Sequence, residues 1–250
     1  MNDITNPIAL VTGAAGGIGA ASARALAAAG YSVIGTDVDD AAGMETFAAL
    51  GAPHQYRSLD VRDPAAWLAL VAQVGPIELI HLNAGVMSRP KGAPLMDDPL
   101  AWLTVAAMEK VMRVNFEGAV NGIIAVKDAP GLKHIIITAS GAALFPLEMD
   151  PYYTASKFAI LGLGLAIEPG LKARGIRLDI LCPGAIDTDI TAPDVRGMIK
   201  LEPVAFIGNC IVTLATTDEP GPIWTAYTEA EGLRRHDVPS QSALDVTDTL

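Results

Sequence analysis

The sequence predicts a doubly wound α/β domain, a seven-stranded parallel sheet with helices on both faces. Three observations carry that expectation. Short apolar runs of strand length alternate with helical patterns along the chain, without an obvious linker, as βαβ crossovers require. The first run leads through a glycine-rich turn into an alanine-rich helix. The chemically distinctive residues fall where strand patterns end, the edge at which open α/β sheets bind ligands.

The first strand is expected at Ile8–Thr12, where Ile8-Ala9-Leu10-Val11 is continuously apolar and so fits a buried strand. Thr12-Gly13-Ala14-Ala15-Gly16-Gly17-Ile18-Gly19 follows, then a helix over Ala20–Ala29 stopped by Gly30. Glycines there let backbone N–H groups approach a pyrophosphate, and the helix N-terminus adds a favourable dipole. The spacing Gly13-x-x-x-Gly17-x-Gly19, with Gly16 as an extra glycine, differs from G-x-G-x-x-G; taken alone, it also fits a plain flexible turn. The second strand, Ser32–Thr36, runs into Asp37, 18 residues beyond Gly19. A carboxylate there can accept bonds from both hydroxyls of an adenosine ribose and repels a 2′-phosphate. No Lys or Arg lies in Tyr31–Phe47 to offset it, so NAD is expected rather than NADP. Further strands are expected at Gln55–Asp60, Ile77–Asn83, His134–Ser140, Ile176–Cys182 and Pro222–Tyr227. Two long helices are expected near Trp102–Val126 and Tyr153–Lys172, and Ser88–Pro94 is a loop by its prolines. Residues 1–250 read as one domain, with about 229–250 forming a polar C-terminal tail.

The second of those helices opens on Tyr153-Thr154-Ala155-Ser156-Lys157, with Ser140 thirteen residues upstream. A free phenol has a pKa of ~10 and is a poor base at neutral pH. Positions i and i+4 share a helix face, so the Lys157 ammonium can sit beside the Tyr153 phenol and favour phenolate. Tyr-x-x-x-Lys is common by chance; its company gives it weight.

Taken in order, these motifs resemble the short-chain dehydrogenase/reductase family from Ile8 to about Tyr227. The resemblance implies a Rossmann-type sheet and an NAD-dependent oxidoreductase acting on a secondary alcohol or ketone. Thr12–Gly19 looks like the family's coenzyme loop, implying cofactor contacts from Gly13, Gly16, Gly17, Ile18 and Gly19, and from Asp37 with its neighbour Val38. Asp60-Val61 resembles the pair that meets the adenine ring. Asn83-Ala84-Gly85 is similar to the turn after the fourth strand, with Leu82 where an Asn is usual. Pro183-Gly184, Ile186 and Thr188 match the segment that holds the nicotinamide. Asn115, Ser140, Tyr153 and Lys157 match the catalytic set: a support for a relay water, a polariser of substrate oxygen, the general acid/base and the cation that stabilises phenolate. Blander roles remain open for three of these. Asn115 can be a helix polar residue satisfied by backbone, Ser140 a turn cap, and Pro183-Gly184 a turn.

Composition narrows the classes. Of 250 residues, 51% are hydrophobic and the net charge is −11, with pI about 4.7 and mean hydropathy +0.36. No Lys/Arg cluster offers a track for nucleic acid. No apolar run reaches the ~18 residues of a membrane helix. Met1–Asn6 shows no basic or apolar signal segment, so a cytoplasmic location is expected. Cys182 and Cys210 fit as small core residues. His54, His81, His134 and His236 lack ligand spacing, so no metal is expected.

The substrate pocket is expected from Ala142, Leu144, Phe145, Met149 and Tyr152, which are largely apolar and suit a hydrophobic or bulky alcohol. The segment from Thr188 to a helix near Val204 is short for a family lid, implying an open site. Three departures stand out: Asp179 where Asn is common, Pro169-Gly170 interrupting the helix of Tyr153, and a tail lacking the usual Asp-Gly-Gly. The resemblance implies a homo-oligomer, tetramer or dimer, through the two long helices. Two alternatives stay open: a non-catalytic NAD-binding sensor or scaffold, and a dehydratase or epimerase on the same fold.

Overall fold

The computed structural model describes residues 6–90, 92–94, 98–219 and 221–238. The last twelve residues of the expected tail lie outside them. Strands β1 (Ile8–Thr12), β2 (Ser32–Asp37), β3 (Gln55–Ser58), β4 (Ile77–Leu82), β5 (His134–Thr138), β6 (Arg177–Pro183) and β7 (Ile223–Ala226) form the sheet in the order β3-β2-β1-β4-β5-β6-β7, and every neighbouring pair among them is parallel. The expected seven parallel strands are therefore present. An eighth, β8 (Arg234–Arg235), lies antiparallel on β7; two arginines carry no apolar periodicity by which to foresee it.

Residues of one strand alternate between two cores, which explains the uninterrupted apolar runs. Leu10, Ile80, Ile135, Ile137 and Ile180 pack on one face with Trp67, Ile123 and Ile160. Ala9, Val11, Leu79, Ile136 and Leu181 pack on the other with Leu26, Ile207 and Ile211. The helices over the first face are α3 (Pro64–Gln73), α5 (Gly118–Val126) and α6 (Pro151–Lys172); α1 (Gly17–Ala28) and α7 (Val204–Thr216) cover the second, and α2 (Asp40–Leu50) follows β2.

The two long helices differ from expectation at their ends. The first begins at Val105, as α4 (Val105–Val111), because Thr104 Oγ1 caps Ala107 N–H at 3.2 Å. It then passes through a π-helical stretch, Met112–Glu117, before α5. α6 begins at Pro151, where Asp150 accepts from Tyr153 N–H at 3.0 Å. Pro169-Gly170 does not interrupt it. Pro169 lies three residues from the end of α6, and Ala173 N–H still bonds its carbonyl at 3.1 Å, so the helix runs on past the proline although Pro169 donates no bond itself.

Asp179 ties three strands together. Its buried carboxylate meets His134 Nε2 at 2.6 Å, Arg177 Nε at 2.8 Å and the Trp224 indole N–H at 2.7 Å. An Asn here could not accept all three.

Candidate active site

Strand order reverses between β1 and β4, and the C-terminal edge there opens into a cavity of about 530 Å³. The glycine loop forms one wall. Gly13 and Gly17 hold φ of 66° and 52°, where a β-carbon is strained. A Cβ on Gly19 would stand 2.0 Å from the Gly13 carbonyl oxygen, so the turn from β1 into α1 closes only with glycine there. Asn83 secures the loop from β4: its N–H reaches Thr12 Oγ1 at 2.9 Å, and its amide donates to the Thr12 carbonyl at 3.1 Å. At the far end Asp37 accepts from Ala15, Val38 and Asp39 N–H groups at 2.8–3.1 Å. Exposed N–H groups at a helix start, small residues and a carboxylate at the sheet edge suit a dinucleotide.

The other wall carries proton chemistry. Ser140, just past β5, accepts from Ala142 N–H at 3.1 Å and is hydrogen-bonded to the Tyr153 phenol. One turn further along α6, Lys157 lies 5.4 Å from the centre of the Tyr153 ring, and its Nζ donates to the Thr138 carbonyl at 3.0 Å. Burial depresses Lys157 to about 8. The expected lowering of Tyr153 is not produced by these protein groups alone. Burial raises it, the Ser140 bond opposes that rise, and the Asp150 carboxylate adds to it. Cys182, at the end of β6, lies beneath, and burial pushes its thiol up to about 11.

Most of the expected cofactor residues meet at this cavity: Gly13, Gly16, Gly17, Ile18, Asp37, Asn83, Ala84, Gly85, Pro183, Gly184, Ile186 and Thr188 all line it, with Ser140, Tyr153 and Lys157. Ala142, Phe145 and Met149 line it as well. Leu144 does not; it is drawn into the core. Tyr152 does not either, because consecutive helix positions point about 100° apart and Tyr153 takes the cavity side. Gly19, Val38, Asp60 and Val61 stand off the lining. Asp60 is held in a two-point pair with Arg62 at 2.6–3.0 Å, which keeps its carboxyl below the usual range, while Val61 is buried against Gly118.

Asn115 sits buried in the π-helical stretch, away from the lining. Its side chain brackets Val86, accepting from the N–H at 2.7 Å and donating to the carbonyl at 2.9 Å, and it also reaches Ser156 Oγ at 3.0 Å. Its side-chain amide is thus bonded to the Val86 backbone and to the Ser156 hydroxyl.

Met87 from the stretch after Gly85, Ala192 and Val195 from the loop after Thr188, and Thr138 at the end of β5 also line the cavity. Ala192 and Val195 are buried against Met87 and Met149, so the short segment after Thr188 covers the site more than its length suggests. An Ile186–Glu202 bridge draws its ends together. Apolar spacing at Ile190, Ala192 and Val195 was the available signal.

A dinucleotide cleft joined to a Ser-Tyr-Lys cluster defines a nicotinamide-dependent oxidoreductase. The short chain dehydrogenase family profile matches residues 7–198, and the chain belongs to that family. A 1-deoxy-11-beta-hydroxypentalenate dehydrogenase of Streptomyces avermitilis is 34% identical over 229 residues, covering 87% of this chain and 80% of its own. A 3-alpha-(or 20-beta)-hydroxysteroid dehydrogenase of Mycobacterium bovis is 32% identical over 225 residues, with 84% and 83% covered. A (+)-borneol dehydrogenase of Salvia officinalis is 29% identical over 223 residues, with 85% and 82% covered. The reaction class is oxidoreduction between a secondary alcohol and its ketone.

Proposed function

We propose that this chain is an NAD(H)-linked dehydrogenase of a bulky, hydrophobic secondary alcohol, with Tyr153 as general acid/base. The convergence of Ser140, Tyr153 and Lys157 on one cavity carries the reading. Bound at the glycine loop, Asp37 and Pro183–Thr188, the nicotinamide cofactor supplies the hydride acceptor or donor. The chain's own residues handle the proton. Ser140 fixes and polarises the substrate oxygen. Tyr153 takes the hydroxyl proton in oxidation and returns it to the carbonyl oxygen in reduction. Lys157 supplies positive charge on the same helix face, so a phenolate forms beside an ammonium. Asn115 holds the backbone at Val86 and supports a relay water that passes the proton onward.

Asp37 supports NAD over NADP, since a carboxylate at the ribose end opposes a 2′-phosphate. Ala142, Phe145, Leu147, Met149, Val195 and Ile199 support an apolar substrate; the hydroxypentalenate, hydroxysteroid and borneol enzymes among its relatives point the same way. We read residues 1–250 as one domain, because a single sheet draws strands from Ile8 to Arg235. Exposed Leu103 just before α4, Val105 and Met108 on α4, and Phe158 on α6 support a homo-oligomer. Among the described residues no helix is long and apolar enough to cross a membrane, and we assign the protein to the cytoplasm. The test is absorbance of reduced nicotinamide across a panel of secondary alcohols with NAD⁺ and NADP⁺. NADH formed from cyclic alcohols, with NADP⁺ at least about tenfold less efficient in kcat/KM, is expected. Equal use of both cofactors would remove the role of Asp37, and silence across the panel would remove the dehydrogenase reading.

A further inference from the structure

Two dipeptides meet at the rim of the cavity in a way that the proton chemistry does not require. Ser88-Arg89 follows β4, and Met149-Asp150 precedes α6. Ser88 donates its N–H to Asp150 Oδ2 at 2.9 Å. Arg89 binds in the opposite sense, donating Nε and Nη2 to the Met149 carbonyl at 3.2 and 2.7 Å. The second Asp150 oxygen accepts from Tyr153 N–H at 3.0 Å. One carboxylate therefore holds both the loop after β4 and the first turn of the helix that carries Tyr153. Asp150 is fully enclosed, and Ser88 and Arg89 are 6% and 5% exposed. Arg89 also donates to the Pro94 carbonyl and lies 6.0 Å from the centre of the Trp102 ring, gathering the loop onto itself.

This joint carries two pieces of the substrate wall that are remote in sequence. Met87 precedes it and Met149 belongs to it; both line the cavity, and both pack against Ala192 and Val195 of the lid. Its bonds are charge-assisted and buried, so losing one partner strands the other without water.

We propose that Arg89 and Asp150 are positioning residues for substrate recognition: the joint they form fixes the Met87 wall against the Met149 wall, and so sets which alcohols fit. The proposal rests on the reading of the cavity as an alcohol site. Neither side chain touches substrate. They act through the two methionines and through the start of α6.

The test uses the full chain and the variants Arg89→Met, Arg89→Lys and Asp150→Asn. Asn caps a helix about as well as Asp, so Asp150→Asn keeps the start of α6 and removes the charged acceptor of Ser88. Hydrogen exchange without substrate comes first. Arg89→Met is expected to speed exchange in both 86–90 and 149–154, and Asp150→Asn, which keeps the cap of α6, in 86–90, each leaving the glycine loop 12–19 as in wild type. Exchange changed only in the segment carrying the substitution overturns the joint. The second readout is the ratio of kcat/KM for (+)-borneol to that for cyclohexanol. It is expected to fall about tenfold in Arg89→Met, through KM for the larger alcohol, with partial recovery in Arg89→Lys and an unchanged cofactor KM. An unchanged ratio, or an equal fall in kcat for both alcohols, overturns the role in recognition. If wild type oxidises neither alcohol, the alcohol reading has failed on its own account, and the exchange result alone decides whether the joint holds.

Discussion

At the scale of single residues, Lys157 is the most informative, because it is buried, charged and placed for chemistry rather than stability. Its pKa is depressed from 10.5 to about 8 by burial. Between those values the unfolded chain holds a proton that the folded chain lacks, so this residue's contribution to stability rises with pH across that window. Below pH 8 the full penalty of a buried ammonium applies. Lys157→Met is therefore expected to be inactive yet to melt higher than wild type at pH 7, by roughly 5 °C. The difference should shrink as pH approaches 10, as thermal melts at several pH values would reveal. An unchanged or lower Tm at pH 7 would mean that the bond to Thr138 outweighs the burial. His81 carries the same dependence in a lower pH window. Burial lowers it to about 3, so folding loses up to ~1.4 kcal/mol per unit as pH falls below 6.5. His81→Val is expected to flatten that part of the acid limb, measured by urea unfolding between pH 6 and 4.

At the scale of elements, what the sequence reveals depends on how local the determinant is. The turn from β1 into α1 is written in contiguous glycines, and the pairing of Tyr153 with Lys157 in a helical interval. Gly19→Ala is expected to prevent closure of that turn, since its Cβ meets a backbone oxygen at 2.0 Å that cannot move aside. Affinity for reduced nicotinamide should fall at least about tenfold in a fluorescence titration, and unaltered affinity would contradict the packing. Helix ends were legible less well, because caps such as Thr104 and Asp150 compete with neighbouring candidates of the same type. The β8 pairing was not legible, since two arginines show no local period, and the lid cluster was legible only as apolar spacing after Thr188. The joint of Ser88-Arg89 with Met149-Asp150 spans about sixty residues of sequence, with one of its bonds made by backbone N–H and another by backbone carbonyl, which any residue type supplies.

At the scale of the whole molecule, the parallel sheet explains why remote segments form one site. Seven strands deliver their C-terminal ends to one edge, so a glycine loop near residue 13, an acid at 37 and a tyrosine at 153 become neighbours. That convergence could be anticipated from where the motifs end. Its chemistry could be anticipated only in part. The phenol was expected to be shifted down by Lys157, but enclosure by the same fold raises it. Desolvation is a property of the assembled cavity and leaves no mark on Tyr-x-x-x-Lys. Asp179 shows the same scale of effect, as a departure in one strand that becomes intelligible through partners on β5, β6 and β7.

The most direct measurement compares wild type with Tyr153→Phe, following reduced cofactor formed from the best alcohol of the panel and, separately, cofactor binding by fluorescence. Turnover is expected to fall by roughly 10²–10⁴-fold while the cofactor still binds, because the phenol moves the proton and the glycine loop holds the dinucleotide. Turnover kept within a few-fold of wild type would contradict the assignment of Tyr153 as the acid/base and, with it, the account of the site.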